Sequence, residues 1–313
     1  MQRDSYSTFV VVNPHSSNGR TGKQWKQIAA RIEEAVGPFA HAFTERPLHA
    51  TELTRQALRQ GRQLVVSVGG DGTHNEVVNG FFEGKTPVAP ESVFGIIPCG
   101  TGGDLRKTVN IPKPLEQAAM KLWGKTYQTV DVGLLRCVGF DGAPCERHFI
   151  NIASFGIGGE VDRRVNTTSK VLGGFVSFLW ASAKAVATYR NKEVVIEVDG
   201  QPLGTRKIFL VAACNGQFFG GGMWVAPHAR MDDGRFDIVL EEDVSFLEVL
   251  LDNPKIYKGR HLLSPKVSWL QGKKLVGRPA RPEIEVLIDM DGETPGKLPV
   301  EIEILESALR LKV

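Results

Sequence analysis

The chain has 313 residues, which is enough for two domains of ordinary size or one large α/β domain. Hydrophobic residues make up 42% and charged residues 23%, so a substantial core can be buried and wholesale disorder is excluded. The formal net charge of +3 is too small for a dedicated nucleic-acid-binding protein, which usually carries a strongly basic domain. Four scattered cysteines exclude a disulfide scaffold, and no spacing of cysteine and histidine indicates a zinc site.

The N-terminus and the apolar runs show no pattern typical of export or of membrane insertion. Residues 1–5 lead into a strand-like run and lack the apolar core of a signal peptide. The longest uncharged apolar stretch, 171–183, is shorter than the roughly 18 residues that a membrane span needs. These features predict a reduced, soluble, cytoplasmic protein.

The first part of the chain alternates between the patterns of buried strands and amphipathic helices. Continuous apolar runs predict strands over 8–12, 64–68 and 93–98. Helical spacing of apolar residues predicts helices over 24–36, 50–58, 76–82 and 115–123. Because the strands are apolar throughout, the alternation predicts an α/β domain over 1–130, built on a parallel sheet that is covered on both faces.

After residue 130 the pattern changes to closely spaced strands separated by turn signals. Strands are predicted over 149–153, 193–198, 207–213, 236–240, 266–270 and 284–288, with two more in the tail over 300–305 and 309–313. One long apolar helix is predicted over 170–189. We therefore expect an antiparallel β-sandwich domain over 131–296, followed by a tail over 297–313.

The run Gly-Gly-Asp-Gly-Thr at 69–73 is the strongest chemical signal in the sequence, since it follows a buried strand and opens a helix. The free N–H groups and the dipole of a helix N-terminus favour phosphate, and glycines let the backbone approach it closely. A carboxylate repels phosphate, so Asp71 is expected to hold a cation, for which Mg²⁺ has the matching ligand preference. Two similar loops, 13–20 and 98–104, also follow strands and would lie at the same ligand-binding edge of the sheet.

The order of these motifs resembles the diacylglycerol kinase catalytic-domain superfamily, most closely its bacterial lipid kinases. The matching elements are Asn13-Pro14 with Ser16 and Gly19-Arg20, the 69–73 run with Asn75-Glu76, Gly100-Thr101 with Asp104, Asn151 with 156–158, Asn215-Gly216 with 220–222, Asp233-Gly234, and Asp291-Gly292-Glu293. Each element is weak alone, but the ordered set is specific and spans nearly the whole chain. Two positions depart from the family pattern: Ser17 stands where glycine is usual and Gly103 where asparagine is usual.

The resemblance implies a kinase that binds ATP in a cleft between two domains and phosphorylates a lipid hydroxyl, such as that of diacylglycerol. It implies that the tail 297–313 returns to the first domain. The implied nucleotide contacts are Asn13, Pro14, His15, Ser16, Ser17, Thr44, Gly70, Asp71, Gly72, Thr73, His74, Asn75, Glu76 and Thr101.

The resemblance also implies the catalytic and metal residues. Glu293 would accept the proton of the attacking hydroxyl, and Asp291 would be a metal or water partner or the competing base. A structural Mg²⁺ would bind at Asp233, with the backbone of Arg230 and Arg235. Asp71 would act with the catalytic Mg²⁺ on the phosphates.

Several alternatives stay open at this point. NAD kinases share the 69–73 run and the Asn-Glu element, but this chain has no Gly-Ser-Thr-Ala-Tyr element; other small-molecule kinases are further options. A non-catalytic nucleotide- or lipid-binding regulator is opposed by the intact acidic residues of the motifs. The helix 170–189 and the aromatic run 218–224 either pack in the core or line an acyl-chain groove.

A basic stretch near the C-terminus suggests a partner surface. Residues 255–282 contain eight Lys/Arg and no Asp or Glu. The stretch would face solvent, anionic headgroups at the inner face of the membrane in a peripheral contact, or the second subunit of a homodimer.

Overall fold

The structure is a computed structural model that describes residues 6–167 and 186–313. The chain divides into two compact units, one formed by the residues up to Val132 together with Glu306–Val313, the other by Gly133–Leu305. Most of the helix predicted over 170–189 lies outside the described residues. Within the described ranges, no helix combines the length and apolarity needed to span a bilayer.

The first unit contains a parallel sheet, as the alternating pattern predicts. Its strands are β1 Thr8–Val12, β2 Ala40–Phe43, β3 Leu64–Gly69 and β6 Val93–Pro98. Between β3 and β6, the short strands β4 Phe82–Glu83 and β5 Thr86–Pro87 form a separate hairpin. The strands of the sheet are ordered β6-β3-β1-β2, and the final residues of the chain add a further parallel pairing, with Arg310 opposite Val93. The sequence pattern did not predict β2, because that strand is short and its residues alternate between half-buried and exposed.

The helices of the first unit are α1 Ser16–Lys23, α2 Trp25–Val36, α3 His49–Arg59, α4 Asp71–Gly80, α5 Asp104–Thr108 and α6 Leu115–Met120. Helix α2 buries Ile28, Ile32 and Val36, which recur at four-residue spacing on one face. Helix α4 begins at Asp71, earlier than the predicted start at 76, because its first turn contains polar residues that carry no apolar periodicity.

The second unit contains antiparallel strands, as predicted. They are β7 Gln128–Val138, β8 Pro144–Phe149, β9 Ile152–Gly156, β10 Lys192–Val198, β11 Gln201–Cys214, β12 Phe218–Phe219, β13 Met223–Trp224, β14 Phe236–Glu242, β15 Val267–Gly272, β16 Lys274–Pro279, β17 Ile288–Met290 and β18 Lys297–Leu311. Its helices among the described residues include α7 Ile157–Thr167, α8 Phe246–Ile256 and a short 3-10 helix, His261–Leu263. Neighbouring strands run in the order β15-β14-β11-β10-β16-β18, while β9 pairs with β11 and β17.

Four predicted strands differ from the structure. The strand predicted over 149–153 is two strands, β8 and β9, separated by Ile150 and Asn151. The strand predicted over 284–288 begins only at Ile288, and the two tail strands are one continuous strand, β18. The pattern also missed helix α8, although Ser245 and Glu248 form a reciprocal capping box at its start.

Side chains of β11 alternate between two hydrophobic clusters, one on each face of the sheet. Val211 and Ala213 belong to one cluster, and Leu210 and Ala212 belong to the other. The second cluster also contains Val225, so the segment after β12 covers that face.

Candidate active site

Three loops meet at the carboxyl ends of β1, β3 and β6. The Asn13 side-chain amide donates a hydrogen bond to Thr73 Oγ1 at 3.0 Å, which joins the first loop to the start of α4. Ser17 Oγ donates to the Cys99 carbonyl at 2.8 Å, which joins the first loop to the third. The parallel sheet therefore brings the three motif loops to one edge, as the sequence predicts.

The second and third loops approach each other through their backbones. A Cβ atom on Gly100 would lie only 2.6 Å from the Gly70 Cα, so this approach needs glycine. Asp71 Oδ2 accepts hydrogen bonds from the N–H groups of Gly103 at 2.7 Å and Asp104 at 3.3 Å. The Asp71 carboxylate thus ties the two loops together.

The other carboxylate oxygen of Asp71 shows what this site can bind. Asp71 Oδ1 is buried and has no hydrogen-bond partner in the part of the chain that the structure describes. A desolvated anionic oxygen is costly unless a cation or a bound water satisfies it. The N-cap of α4 is Gly70 in an extended conformation, and no side chain caps the first N–H groups of that helix. Together these features fit the phosphates of ATP and a Mg²⁺ ion.

The two departures from the family pattern have a structural explanation. Ser17 has a φ of 52°, and Asn18 and Gly19 are also left-handed, so this position favours the glycine that the family usually has. Gly103 has a φ of 67°, a conformation that asparagine tolerates better than most residues. The serine accepts backbone strain at this point and adds the hydrogen bond to Cys99.

Other predicted nucleotide residues lie in the same loops. The His15 N–H donates to Asn13 Oδ1 at 3.0 Å, and Ser16 Oγ donates to the Asn13 carbonyl at 3.0 Å, which shapes the turn that contains Pro14. Thr44 follows β2 at the same edge, and its N–H donates to the Val12 carbonyl at 2.8 Å. The remaining two are Gly72, in the first turn of α4, and Thr101, exposed in the third loop.

Three more predicted nucleotide residues also have partners inside the first unit. His74 Nδ1 lies 2.7 Å from Ser67 Oγ in the buried interior. Glu76 Oε2 accepts the N–H of Ala50, at the start of α3, at 3.1 Å. Asn75 accepts from the Asn79 side chain through its carbonyl and its amide oxygen, both at 3.0 Å. These contacts anchor α4 and thereby position the 69–73 loop.

We expect the buried His74 to make stability depend on pH. Burial lowers the pKa of His74 to about 3, from an ordinary value near 6.5. Between these values the unfolded chain binds a proton that the folded chain does not, so the free energy of unfolding falls as the pH drops below 6.5. The expected loss is about 2 kcal/mol by pH 5.

Urea unfolding at a series of pH values measures this loss. A His74→Gln variant keeps a polar group near Ser67 but does not titrate, so its stability should fall less steeply between pH 6.5 and 5. Equal pH dependence of the two proteins would show that His74 does not cause it.

The predicted catalytic turn lies between β17 and β18 in the second unit. Met290 and Glu293 exchange backbone hydrogen bonds of 2.8 and 3.0 Å. Asp291 and Gly292 between them have φ values of 51° and 85°, as in a two-residue type I′ hairpin turn. Glu293 is half-buried at the exit of this turn.

The Asp291 carboxylate holds the backbone between β8 and β9. It accepts the N–H groups of Ile150 at 3.1 Å, Asn151 at 3.2 Å and Ile152 at 2.9 Å. These bonds explain why the predicted strand 149–153 is interrupted, because the N–H groups bind a carboxylate rather than a neighbouring strand. A carboxylate with three donors is a poor proton acceptor, so this geometry favours Glu293 over Asp291 as the base.

Asp289 is a part of this site that the sequence reasoning missed. Its Oδ1 accepts the Gly292 N–H at 3.0 Å, and its Oδ2 accepts Ser154 Oγ at 3.2 Å. It is the next-to-last residue of β17, two positions before Asp291, and this close spacing of two carboxylates could have indicated a paired role.

Two asparagines of the quoted motifs complete the network. The Asn215 side chain donates to the Ile150 carbonyl at 2.7 Å, and the Asn151 side chain donates to the Phe218 carbonyl at 2.8 Å. Asn151 Oδ1 is buried without a hydrogen-bond partner among the described residues, so it is available to a ligand or a water.

The predicted structural metal site is an exposed turn. Asp233 Oδ1 accepts the Arg235 N–H at 3.2 Å, and the Arg230 side chain pairs with Asp232 at 3.2 Å. In the described ranges no group of three or more His, Cys, Asp or Glu side chains is placed to hold a metal ion. A cation at Asp233 would therefore need backbone carbonyls, and this site stays a prediction.

Comparison with known families agrees with the two-unit fold and its loops. Residues 7–135 match the diacylglycerol kinase catalytic domain, and residues 151–313 match the YegS C-terminal NAD kinase beta sandwich-like domain. The fold and the phosphate-type loops are thus those of a kinase. The chain belongs to the diacylglycerol kinase family, and ATP is the nucleotide that this family implies.

Relatives from several bacteria match over most of their length. A diacylglycerol kinase of Staphylococcus carnosus is 26% identical over 291 residues, covering 93% of this chain and 89% of the relative. A diacylglycerol kinase of Bacillus subtilis is 26% identical over 294 residues, covering 93% and 91%. A crystal structure of a diacylglycerol kinase from Bacillus anthracis has a TM-score of 0.71 at 21% identity and covers 99% of this chain and 98% of its own, which shows the same fold.

Proposed function

We propose that this protein is an ATP- and Mg²⁺-dependent lipid kinase that transfers the γ-phosphoryl group to the hydroxyl of a lipid such as diacylglycerol. The proposal that ATP and Mg²⁺ bind here rests on the Oδ1 atom of Asp71, which is buried at the uncapped start of α4 and has no hydrogen-bond partner among the described residues. The names of the relatives support a diacylglycerol-type acceptor.

Phosphoryl transfer asks a protein mainly for positioning and charge neutralisation. The 69–73 loop and the start of α4 would direct backbone N–H groups at the phosphates, and Asp71 would hold the Mg²⁺ that offsets their charge. Glu293 would accept the proton of the acceptor hydroxyl. Asp289 and Asp291 would hold the turn that presents Glu293, through the hydrogen bonds to Gly292 and to the backbone at 150–152.

The direct test is transfer of label from γ-labelled ATP into lipids by purified protein. Mixed micelles would present diacylglycerol, phosphatidylglycerol, a ceramide and undecaprenol in parallel, and NAD would be offered in solution. Labelled lipid supports the proposal and identifies the acceptor class. Labelling of NAD alone would establish an NAD kinase instead, and ATP binding without any transfer would favour a regulator.

We expect Asp71→Asn to lower kcat/KM for Mg-ATP by roughly 100-fold, because the amide keeps one acceptor oxygen for Gly103 but loses the charge that holds the cation. A titration of Mg²⁺ at fixed ATP should show a higher requirement for metal. Asp141→Asn is the matched control, since Asp141 Oδ1 also accepts a backbone N–H, that of Ala143, in an exposed turn. An unchanged Mg²⁺ dependence in Asp71→Asn would exclude the metal role.

A further inference from the structure

Two segments of the second unit pack together beside the sheet. They are residues 217–229, which cover one face of β11, and residues 257–263, which follow α8. A Cβ atom on Gly259 would lie 2.7 Å from the Pro227 side chain, so the Gly259 backbone packs against the 217–229 segment. His261 Nε2 lies 2.9 Å from the Val225 carbonyl in the buried interior. The two segments therefore form one surface.

This surface exposes large apolar side chains. Leu263 is 83% exposed, Tyr257 48% and Trp269, on the edge strand β15, 43%. Trp269 packs on His228 with ring centres 5.4 Å apart, which connects it to the 217–229 segment. Trp224 of the same segment stacks on Phe218 at 5.7 Å. Apolar groups of this size that cluster on a surface indicate a binding region.

The charge of the surface is positive. Neither 217–229 nor 254–263 contains an Asp or a Glu. Lys258 and Arg260 are exposed, and no ion pair joins either of them to a side chain that the structure describes. Because these segments contain no carboxylate, the turn that carries Lys258 and Arg260 is complementary to an anionic partner.

The basic residues of 255–282, which the sequence suggested as one surface, lie at separate places in the structure. Lys266 pairs with Glu248 at 2.7 Å, Lys274 with Glu301 at 2.8 Å, and Arg281 with Glu193 at 3.5 Å. Arg278 lies on β16, which is separated from β15 by β14, β11 and β10 in the sheet order. The basic residues of the stretch therefore do not form one surface, and Lys258 and Arg260 lie together on the turn after α8.

We define the aromatic–basic patch as Trp224, Tyr257, Lys258, Arg260, Leu263 and Trp269. We propose that this patch docks on the surface of an anionic lipid bilayer. The inference rests on the proposed lipid kinase function, because such an acceptor resides in a bilayer. Aromatic side chains favour the membrane–water interface, an exposed leucine can enter the acyl region, and lysine and arginine attract anionic headgroups. Apolar insertion and basic attraction together provide two signals for membrane binding, where a single signal gives only marginal binding.

Sedimentation with vesicles tests the docking. The wild-type protein should bind vesicles of 75% phosphatidylcholine and 25% phosphatidylglycerol more tightly than vesicles of phosphatidylcholine alone, and less tightly as salt rises. The double variant Lys258→Gln/Arg260→Gln should bind about 25-fold more weakly, at roughly fivefold per basic residue. Leu263→Gln should bind about tenfold more weakly.

The chain offers matched controls outside the patch. Leu247, at the opposite end of α8, is 68% exposed, and Arg278 is exposed on β16. Leu247→Gln and Arg278→Gln should bind vesicles as the wild type does. Equal losses in control and patch variants would overturn the proposal, as would wild-type binding that is indifferent to phosphatidylglycerol.

A second assay separates this proposal from the proposed function. Phosphorylation of a water-soluble short-chain diacylglycerol needs no docking, so the patch variants should keep wild-type turnover with it. Turnover of this acceptor without binding to anionic vesicles would overturn the docking and leave the kinase function standing. Vesicle binding that depends on the patch, without phosphorylation of any lipid, would support the docking and overturn the kinase function. Loss of self-association in the patch variants, with vesicle binding intact, would assign the patch to a second copy of the chain and overturn the docking.

Discussion

Replacing Glu293 by glutamine is expected to lower kcat on a lipid acceptor by about a thousandfold, while the KM for ATP stays within about a factor of two. A positioned base contributes on the order of 100- to 10,000-fold to a proton-transfer step, and a neutral amide cannot accept the proton. The proposed nucleotide contacts all lie in the first unit, so the substitution should not weaken ATP binding.

The fold should tolerate this substitution. Glutamine has nearly the shape of glutamate, and the turn is closed by backbone hydrogen bonds between Met290 and position 293 that do not depend on the side chain. The carboxylates of Asp289 and Asp291 also hold the turn independently. The urea midpoint of Glu293→Gln should therefore lie close to that of the wild type.

Steady-state kinetics with a pH profile measures the effect. Glu283→Gln is the matched control, because Glu283 is an exposed carboxylate of the same unit. The wild-type kcat should rise with pH as the base ionises, and this limb should be absent from Glu293→Gln. A variant that retains near wild-type kcat would remove Glu293 from the role of base.

The periodicity of the sequence predicted elements whose burial is local. Strand β1 and strand β6 are continuous apolar runs, and helix α2 has apolar residues on a single face. In each case the pattern of apolar residues matches the pattern of buried residues in the structure. The interruption at Ile150 and Asn151 could not be predicted in this way. It depends on a carboxylate about 140 positions later in the chain, which local pattern does not include.

The candidate site was predictable where topology dictates it. The loops containing Asn13, Asp71 and Thr101 each follow a parallel strand, so they had to meet at one edge. The different hydrogen-bonding partners of these carboxylates were not predictable. Asp291 binds backbone N–H groups, and every residue type except proline has such a group, so the sequence does not indicate which ones a carboxylate will bind. Glu76 and His74 occur in a nucleotide motif, yet tertiary contacts with Ala50 and Ser67 use their side chains.

We expect Asp291→Ala to lower the free energy of unfolding of the second unit by about 4 kcal/mol. The substitution removes three hydrogen bonds to a charged acceptor and leaves the N–H groups of Ile150, Asn151 and Ile152 without it. Those three residues are 1%, 6% and 1% exposed, so water cannot readily replace the carboxylate. Asp291→Asn keeps one acceptor oxygen, so its free energy of unfolding should fall by about half as much. Asp141→Ala removes a single hydrogen bond in an exposed turn, so the free energy of unfolding should fall by less than about 1 kcal/mol.

Denaturant unfolding and steady-state kinetics of these variants together show whether Asp291 positions the backbone or accepts the proton. If Asp291 holds the backbone, Asp291→Asn should lower stability and kcat, while the pH profile keeps the limb assigned to Glu293. Because the loss of kcat would then come from a displaced turn, stabilising conditions that leave the variant fully folded should recover part of it. A variant that unfolds at the wild-type denaturant concentration, yet loses the pH-dependent limb, would assign the proton transfer to Asp291. In that case the three N–H donors would serve to set the ionisation of the base rather than to fix the junction between β8 and β9.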